Sequence, residues 1–579
     1  MGTAPERRSR VAGALSSAAA RARAEAVARP PQAYRERAVA APVRWSLSVL
    51  VSLGEWAQAA LVALRRRAGH GPPPVCEPGG APVVITGTAF PGDERQYLML
   101  AFELRPGTRR LEVSYDWAPL PPAVPDNPLT QTVFDLGLWD EHGYRSADGF
   151  RGWSGSRHKE VYVEESAAER AYRPGPLGPG VWHVDLGIAA VGPTGAEWTV
   201  TVRALAHPKV AAVPAGPVPT GPVDRAHVAR ARPGWYHGDF HMHAWHSHRA
   251  GPAPEQFVAF ARAAGLDFLP VTEYVVGHHW DQYGQVQREH PDLVIWPGRE
   301  IVTYRGHVQS LGETPGFVEF RHGFEDVHIR DIQRAVKSAG ALFGVNHPTT
   351  FPGPLFRNLC RGCEFELGDD IDWDEVDTLE VLTGEALVDP REYQLPDVGV
   401  RVPNPFSGSA VALWESLLNR GHRICAVSGS DDKLGPKLGT CATAVYATEL
   451  SRPALIEAIG QGRAYVRTRG VAASPALELE AGAPGQATGT FGSVLYLDGG
   501  QQAEVRVTVR GGQGQGLRIV RNGRETATVS VTSDPFDHVF AAGRVPTEGP
   551  LGTWWRVETF DGQGPTTIAN PVFLQAPPP

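Results

Sequence analysis

Apolar and polar residues alternate along much of residues 82–206, in short runs separated by glycine and proline. Such alternation predicts β-strands with one buried face, and no long helical period interrupts it. The clearest runs are PVVITGTAF, LMLAFEL, LEVSYDW, VFDLGLWD and EWTVTVRAL. We therefore expect residues 82–206 to form an antiparallel β-sandwich of jelly-roll type.

Between residues 235 and 470 the pattern changes to alternating strands and helices. Strand-like runs are WYHGDFHMH, LDFLPVT, LVIWPGREIVTY, ALFGVNHP, DTLEVLT and RICAVSGSD. Runs with helical spacing are PEQFVAFARAAG, DIQRAVKSAG and AVALWESLLNRG, and PALIEAIGQGRAYV closes the series. About seven such βα units predict parallel strands with right-handed crossovers, closed into a distorted (βα)7 barrel. In such a barrel the chemistry lies at the carboxyl ends of the strands.

The remaining segments complete a multidomain α/β plus β organisation. Residues 474–579 return to short strands and predict a smaller C-terminal β-sandwich, and residues 207–233 form a proline-rich linker. Residues 1–75 predict a helical, partly disordered segment with an amphipathic helix at 43–64. That helix either docks on the protein's own surface or makes a peripheral membrane contact, and its polar stripe argues against a membrane span.

Composition narrows the class of protein. The 579 residues are 42% hydrophobic and 20% charged, as in a soluble globular protein, and the formal net charge of -8 does not point to nucleic acid. Residues 1–30 contain no apolar signal segment, so we expect a cytoplasmic protein, with membrane association through residues 43–64 as the alternative. Five cysteines are too few for a disulfide framework, and the CxxC pair Cys360 and Cys363 is predicted to be two ordinary loop thiols.

Histidines and carboxylates recur where the predicted barrel strands end. Four histidines fall within residues 241–248, and alternation along the first strand points His241 and His243 to one face. Further ligand-type side chains lie on the following strands or in the loops after them: Glu273, Glu300, His307, His347, Glu380 and Asp431. Imidazole and carboxylate are ligands for zinc, manganese and iron. The set as a whole therefore predicts a metal centre, although each residue alone would favour a structural role.

These stretches resemble the PHP superfamily of metal-dependent hydrolases, named for polymerase and histidinol phosphatase. The resembling motifs are GDFHMH, GLDFLPVTEY, PGREIVTYRGHVQSLG, VNHP, LWESLLNRGHRICAVSGSDD and LIEAIGQGRAYV. With FRGWSGSRHKEVYV and PGPLGPGVWHVDLG upstream, the chain is most similar to the CehA/McbA branch. That branch combines a β-sandwich, a PHP barrel and a C-terminal β segment, and it includes carbamate-ester hydrolases.

The resemblance implies two divalent transition-metal ions, which would be zinc, manganese or iron. Six residues would hold them: His241, His243 and Asp431 on the first ion, His307 and His347 on the second, and Glu300 bridging both. A shared carboxylate and a bridging hydroxide offset the repulsion between two dications about 3.5–4 Å apart. The same hydroxide, acidified by the metals, is the expected nucleophile.

The chain departs from the family pattern at three places, all near a third metal position. Ser247-His248-Arg249 stands for Ser-Asp-Gly, Thr272-Glu273-Tyr274 for Thr-Asp-His, and Ser430-Asp431-Asp432-Lys433 for Ser-Asp-x-His. We expect no third ion, because a protonated lysine has no lone pair to give. Lys433 is instead predicted to clamp a phosphate or polarise a carbonyl, and Tyr274 to assist an oxyanion or a leaving group. The alternative for Lys433 is a loop ion pair with Asp432 or Asp369.

Four neighbouring residues extend the predicted site. His248 and Glu273 are secondary candidates: His248 either lines the site or restores a ligand position, and Glu273 is either an alternative ligand or a partner that orients one. Asp239 is predicted to orient an imidazole. Glu380 is predicted to be a polar barrel residue first and a catalytic group second.

Together these features predict a metal-dependent hydrolase of a small-molecule ester. The superfamily resemblance implies phosphomonoesters or diesters, and the branch resemblance also permits carbamate and aryl carboxylic esters. A lysine beside two dications suits an anionic substrate, which slightly favours the phosphoester. The alternative of another class is a degenerate barrel that serves as a binding scaffold. The sequence carries no signal for the oligomeric state.

Overall fold

The chain divides into two compact units, Met1–Ala212 and Val213–Pro579. The computed structural model describes residues 72–123, 130–209, 220–312, 316–353, 356, 360–393, 396, 398–483, 488–497, 501–544 and 552–577. The predicted helix at 43–64 lies outside these residues. Within the described ranges, no helix is long and apolar enough to cross a membrane.

The described residues of the first unit form two β-sheets. Its strands are β1 Val75–Cys76, β2 Val83–Ala89, β3 Gln96–Leu104, β4 Arg110–Pro119, β5 Val133–Trp139, β6 Phe150–Gly155, β7 Glu160–Glu164, β8 Gly180–Ala190 and β9 Ala196–Leu205. One sheet has the order β1-β3-β8-β5-β6 and the other β2-β9-β4-β7. Burial alternates along β9, with Val200 and Val202 fully buried, as its sequence pattern predicts. The Tyr115 hydroxyl in β4 donates to the Phe134 carbonyl in β5, which links the sheets, and the jelly-roll arrangement stays a prediction.

The second unit mixes strands with a few short helices. Its strands are β10 Val228–Arg230, β11 Gly234–Gly238, β12 Phe268–Tyr274, β13 Val294–Thr303, β14 Gly306–Leu311, β15 Leu342–Val345, β16 Thr378–Thr383, β17 Leu387–Val388, β18 Val402–Pro403, β19 Cys425–Gly429, β20 Ala442–Ala447, β21 Leu450–Ser451, β22 Ala464–Arg467, β23 Ala476–Gly482, β24 Val494–Tyr496, β25 Gln502–Arg510, β26 Gly516–Arg521, β27 Arg524–Ser530, β28 Phe536–Arg544, β29 Thr553–Asp561, β30 Gly564–Ala569 and β31 Val572–Gln575. Its helices are α1 Pro254–Ala263, α2 Gly284–Glu289, α3 Ile329–Ser338, α4 Ser407–Arg420, α5 Arg452–Gly460 and α6 Gly470–Ala473. The protein is thus a multidomain mixture of α/β and β structure, as predicted.

The sheet of the predicted barrel region runs in the order β19-β16-β15-β14-β13-β12-β11-β20-β22. Strands β11, β12 and β13 are parallel to one another, as are β15, β16 and β19. The six strands named from the sequence therefore all run in the same direction, since β13 and β15 are both antiparallel to β14 between them. The strands β14 and β20, which the sequence analysis does not include, run the opposite way. Only Tyr304 and Arg305 join β13 to β14, and so short a connection permits only an antiparallel hairpin. Closure into a barrel stays a prediction.

The same sheet continues into the C-terminal strands. β22 pairs with β30, and β30 leads through β29 to β26 and β27. A separate sheet of β23, β25 and β28 contributes Leu479, Val505 and Val507 to the same core as Leu517 and Val557 of the first sheet. The two sheets thus share one apolar core, and a separate C-terminal sandwich stays a prediction.

Local sequence fixes the ends of the helices that flank the site. Helix α1 begins at Pro254, where the missing N–H is harmless, and buries Phe257, Val258 and Ala261 at helical spacing. Helix α4 ends at Arg420, and the next residue, Gly421, has a φ of 108°, the left-handed C-terminal cap that glycine adopts readily. The Trp414 indole N–H then donates to the carbonyl of residue 424 over 2.8 Å, which anchors the start of β19.

Candidate metal centre

His241 and His243 lie in the short segment that follows β11. The sequence predicts a strand running to His243, but β11 ends at Gly238. Beyond that point the chain bonds to the segment after β19: the Asp431 amide donates to the His241 carbonyl over 2.8 Å, and the His243 amide donates to the Asp432 carbonyl over 2.9 Å. Both imidazoles are fully buried, and their Nε2 atoms are 3.2 Å apart.

The buried carboxylate of Asp239 organises this backbone. Its Oδ1 accepts from the amides of His241 at 3.2 Å and Ser430 at 2.9 Å, and its Oδ2 accepts from the amide of Gly439 at 2.9 Å. Burial raises the pKa of Asp239 to about 6, although these hydrogen bonds lower it. Asp239 therefore fixes ligand-bearing backbone segments rather than an imidazole, which corrects the prediction.

Glu300 lies at the centre of the site, inside β13 and not at the predicted strand end. Its Oε2 is 3.3 Å from Nε2 of both His241 and His243. Its Oε1 is 2.7 Å from Nδ1 of His307 and 3.2 Å from Nε2 of His347. His307 belongs to β14, because the hairpin occupies the stretch predicted as a loop. Each carboxylate oxygen thus faces a different pair of imidazoles, which is the geometry of a bridging ligand.

Asp431 and His347 reach the site from unusual backbone conformations. Each lies two residues beyond a strand, β19 and β15 respectively, and their φ angles of 50° and 29° fall in the left-handed region. L-residues other than glycine adopt this region at a cost. The Asp431 Oδ1 lies 3.0 Å from Nε2 of His243 and 3.3 Å from Nε2 of His241. Such strain in clustered polar residues is characteristic of functional sites.

The structure brings all six predicted ligands together, in two groups that share one residue. The groups are His241, His243, Glu300 and Asp431, and Glu300, His307 and His347. Within each group the ligand atoms lie within 4.8 Å of one another. The shared residue is Glu300, in the bridging position that the resemblance implies.

The outer nitrogens of three imidazoles are hydrogen-bonded away from the centre. Nδ1 of His241 lies 2.9 Å from Oε1 of Glu380, and Nδ1 of His243 lies 2.9 Å from the Ser247 hydroxyl. Nε2 of His307 lies 2.8 Å from the carbonyl of residue 361. With the proton on each outer nitrogen, the lone pair of the inner nitrogen faces the carboxylates, as in metal-bound histidines. This donor set fits two divalent ions.

Glu380 makes contacts with two candidate ligands that the sequence did not reveal. Its Oε1 also accepts from the Asn346 amide at 2.7 Å, and its Oε2 accepts from the His347 amide and the Thr383 hydroxyl, both at 2.9 Å. One carboxylate therefore orients the side chain of His241 and the backbone of His347. Its position inside a buried strand was a signal, but its partners were not visible in the sequence.

Negative charge is concentrated at the centre. Burial alone would raise the pKa values of Glu300 and Asp431, but neighbouring imidazoles, and Lys433 beside Asp431, lower both well below their usual range. Burial alone would lower the pKa of His241, but Glu380, Glu300 and Asp431 raise it well above its ordinary value. Two ionised carboxylates in one buried cluster are an electrostatic environment that divalent cations offset.

Lys433 forms an ion pair with Asp431, one of the candidate ligands. Its Nζ lies 2.6 Å from Oδ1 of Asp431 and 5.7 Å from the ring centroid of Tyr274, so neither alternative partner, Asp432 or Asp369, takes the contact. Burial opposes its charge, but Asp431, Tyr274 and Glu300 raise the pKa of Lys433. The Tyr274 ring lies 4.3 Å from that of His243. Both predicted catalytic residues therefore border the first ligand group.

His248 and Glu273 lie outside both ligand groups of the described residues. Nδ1 of His248 accepts from the amide of Ala250 at 3.1 Å. Glu273 is fully buried, accepting from the Ser247 hydroxyl and, at 2.9 Å, from the amide of His246. Because that hydroxyl contacts Nδ1 of His243, Glu273 acts on the site through Ser247.

Cys360 and Cys363 form a disulfide, so the prediction of two ordinary loop thiols is wrong. The CxxC turn brings their Cα atoms to 5.4 Å, within the range that a disulfide spans. Three other cysteines are free and buried: Cys76, Cys425 and Cys441.

A small, open depression lies beside His347. Its walls combine polar side chains, including Thr383 and Asn404, with the apolar Phe406 and Ala410.

Comparison with models of protein families and with curated proteins gives no match. Among solved structures, the chain is similar to a two-domain protein from Bacteroides vulgatus containing a predicted PHP-like metal-dependent phosphoesterase, at 15% identity and a TM-score of 0.32, covering 62% of this chain and 99% of that one. It is also similar to the lesion-specific endonuclease PfuEndoQ from Pyrococcus furiosus, at 14% identity and a TM-score of 0.26, covering 39% and 56%. A third similar structure is PsfC from Pseudomonas syringae, at 19% identity and a TM-score of 0.23, covering 37% and 82%. TM-scores this low establish neither fold nor function.

Proposed function

We propose that the protein is a metal-dependent hydrolase of the PHP superfamily, of the CehA/McbA branch, that cleaves an ester. The supporting observation is the position of Glu300, whose two oxygens each face a different pair of imidazoles. Two bound divalent ions, zinc, manganese or iron, would supply Lewis acidity and an activated water. His241, His243 and Asp431 would hold one ion, His307 and His347 the other, and Glu300 both.

The charge distribution favours a phosphoester. Lys433 is held by Asp431 at the edge of the ligand cluster, where its ammonium group would bind an anionic oxygen of the substrate. Tyr274, whose ring lies beside that of His243, would donate a proton to a leaving group. Both roles need only that the substrate lie over the first ligand group.

A carbamate or aryl ester is the second candidate, favoured by the partly apolar surface beside His347. Phe406 and Ala410 form part of it, and an apolar leaving group gains free energy from such contact. Nearby, the Phe406 ring packs 5.4 Å from that of Phe351. This surface would be of little use to a small phosphomonoester.

The test is a hydrolysis assay of the full chain loaded separately with zinc, manganese or iron. Aryl phosphomonoesters and diesters are compared with aryl carbamates and acetates of the same leaving group. Asp431→Asn should abolish turnover while circular dichroism stays native. The control Asp374→Asn, at an exposed carboxylate that pairs with His422, should leave turnover unchanged. Retained turnover in Asp431→Asn, or no hydrolysis of any ester, would overturn the proposal.

A further inference from the structure

The turn from Cys360 to Cys363 packs against the imidazole of His307. Ligand atoms of His307, Cys360 and Cys363 all lie within 4.8 Å of one another. Cys363 and His307 are buried, with exposed fractions of 4% and 5%. Two sulfurs and one imidazole nitrogen form a donor set that zinc and related soft divalent cations prefer.

His307 presents one ring nitrogen to each of two groups. Its Nδ1 lies 2.7 Å from Oε1 of Glu300, and its Nε2 lies 2.8 Å from the carbonyl of Arg361, which stands between the cysteines. A neutral imidazole has a proton on one nitrogen and a lone pair on the other. While Nε2 donates to Arg361, the lone pair therefore faces Glu300; the opposite tautomer would present it towards the sulfurs.

Gly362 allows this close approach. Its φ is +83°, and a Cβ there would lie 2.0 Å from the carbonyl oxygen of Thr303 and 3.2 Å from Nε2 of His307. Every other residue would push the turn away from β13 and from the imidazole. The CxxC turn thus packs against the end of β13 and against His307, a candidate ligand of the second group.

We propose that Cys360, Cys363 and His307 form a separate cation site when the disulfide is reduced. A dithiol reductant would give two electrons and two protons to the disulfide, leaving two thiols and becoming a disulfide itself. A soft divalent cation would then displace the two thiol protons into water and bind both sulfurs and Nε2 of His307. Water would take the remaining ligand position.

Formation of this site would also change the ligand group of Glu300, His307 and His347, because both use His307. Because a neutral imidazole has one lone pair, His307 serves either the thiolates or the ion held with Glu300 and His347. The thiol state therefore selects the partner of His307. This consequence rests on the proposed function, whereas the thiolate site itself does not.

The experiment uses cobalt(II) as the probe, added to the full chain in its oxidised form and after anaerobic reduction by a dithiol that is then removed. Reduced wild type should show thiolate-to-cobalt charge-transfer absorption, and oxidised wild type should not. The absorption should vanish in Cys360→Ser/Cys363→Ser and persist in Cys441→Ser, the control at a buried free thiol. His307→Gln should weaken cobalt binding to the reduced protein by at least about tenfold.

Glu300→Gln separates the two proposals, because it removes the carboxylate bridge and leaves the thiolate absorption in place. Absence of absorption in reduced wild type, or its persistence in the double serine variant, would overturn the thiolate site. If the double variant does not fold, alkylation of reduced wild type with iodoacetamide replaces it and should remove the absorption. Absorption that survives alkylation would overturn the site equally.

Discussion

Nδ1 of His241 lies 2.9 Å from Oε1 of Glu380, while Oε2 of the same carboxylate accepts from the backbone amide of His347. One side chain thus fixes the tautomer of a ligand in the first group and the backbone of a ligand in the second. The arrangement couples the two halves of the centre through a residue that is not itself in either ligand group of the described chain.

Glu380→Gln should weaken metal binding without unfolding the protein. The amide cannot match a carboxylate as acceptor for Nδ1 of His241, and loss of such an orienting partner lowers metal affinity by about 10–100-fold. Competition with a chromophoric chelator measures the change. Glu385→Gln is the control, since Glu385 pairs with Arg401 and Lys437 instead. Equal affinities in wild type and Glu380→Gln would show that the contact is only structural.

Lys433→Met should reduce hydrolysis of anionic esters far more than of neutral ones. Removing a positive charge that stabilises developing negative charge lowers the rate by about 10²-fold or more. The measurement is kcat/KM for an aryl phosphate and an aryl acetate. Lys437→Met serves as the control, because Lys437 pairs with Glu392 and Glu385 away from the ligand groups. Equal losses on both substrates would contradict an anion-binding role for Lys433.

Gly429→Ala should displace a metal ligand. A Cβ at Gly429 would lie 2.2 Å from Cβ of His241 and 2.7 Å from its amide nitrogen, so the backbone must shift. We expect a loss of about 1–3 kcal/mol in the free energy of unfolding, together with reduced metal content. Gly460→Ala, where an added Cβ meets nothing within 4 Å, should be neutral or slightly stabilising. Full metal content in Gly429→Ala would show that the segment tolerates the methyl group.

His183 should make the first unit sensitive to acid. Burial lowers the pKa of His183 to about 4 from the ordinary 6.5. Below pH 6.5 the unfolded chain therefore binds a proton at His183 that the folded chain does not bind. The free energy of unfolding consequently falls as the pH drops from 6.5 to about 4. Urea unfolding at pH 7.5 and 4.5 should show a smaller loss in His183→Gln than in wild type. The control His207→Gln, at an exposed position, should behave as wild type does; an unchanged loss in His183→Gln would refute the assignment.

The six candidate ligands could be proposed from the sequence because each stands on or just after a buried strand, in a spacing that resembles a known family. The local pattern of apolar and polar residues could not predict on which strand or segment each ligand lies. The segment bearing His241 leaves its sheet to pair with residues after β19, and His307 lies on a strand because a two-residue connection closes a hairpin. Both are long-range pairings that alternation of apolar residues does not encode.

The sequence also could not predict which residues the charged side chains contact. Glu380 and His241 are far apart in sequence. Lys433 pairs with Asp431, although the sequence made Asp432 and Asp369 equally plausible partners. The Cys360–Cys363 bond depends on a turn conformation that CxxC spacing permits but does not require. In each case the deciding contact is set by the fold and not by neighbouring residues.

The central claim is that Glu300 bridges two metal ions, and elemental analysis of the full chain purified without added metal or chelator tests it most directly. We expect about two transition-metal ions per chain in wild type and fewer in Glu300→Gln. Glu319→Gln, whose carboxylate pairs with Arg321, should match wild type. No metal, even after reconstitution with zinc, manganese or iron, would contradict the account and leave a binding scaffold in its place. Three ions would mean that His248, Glu273 or another neighbour completes a third site, and that the role given to Lys433 is wrong.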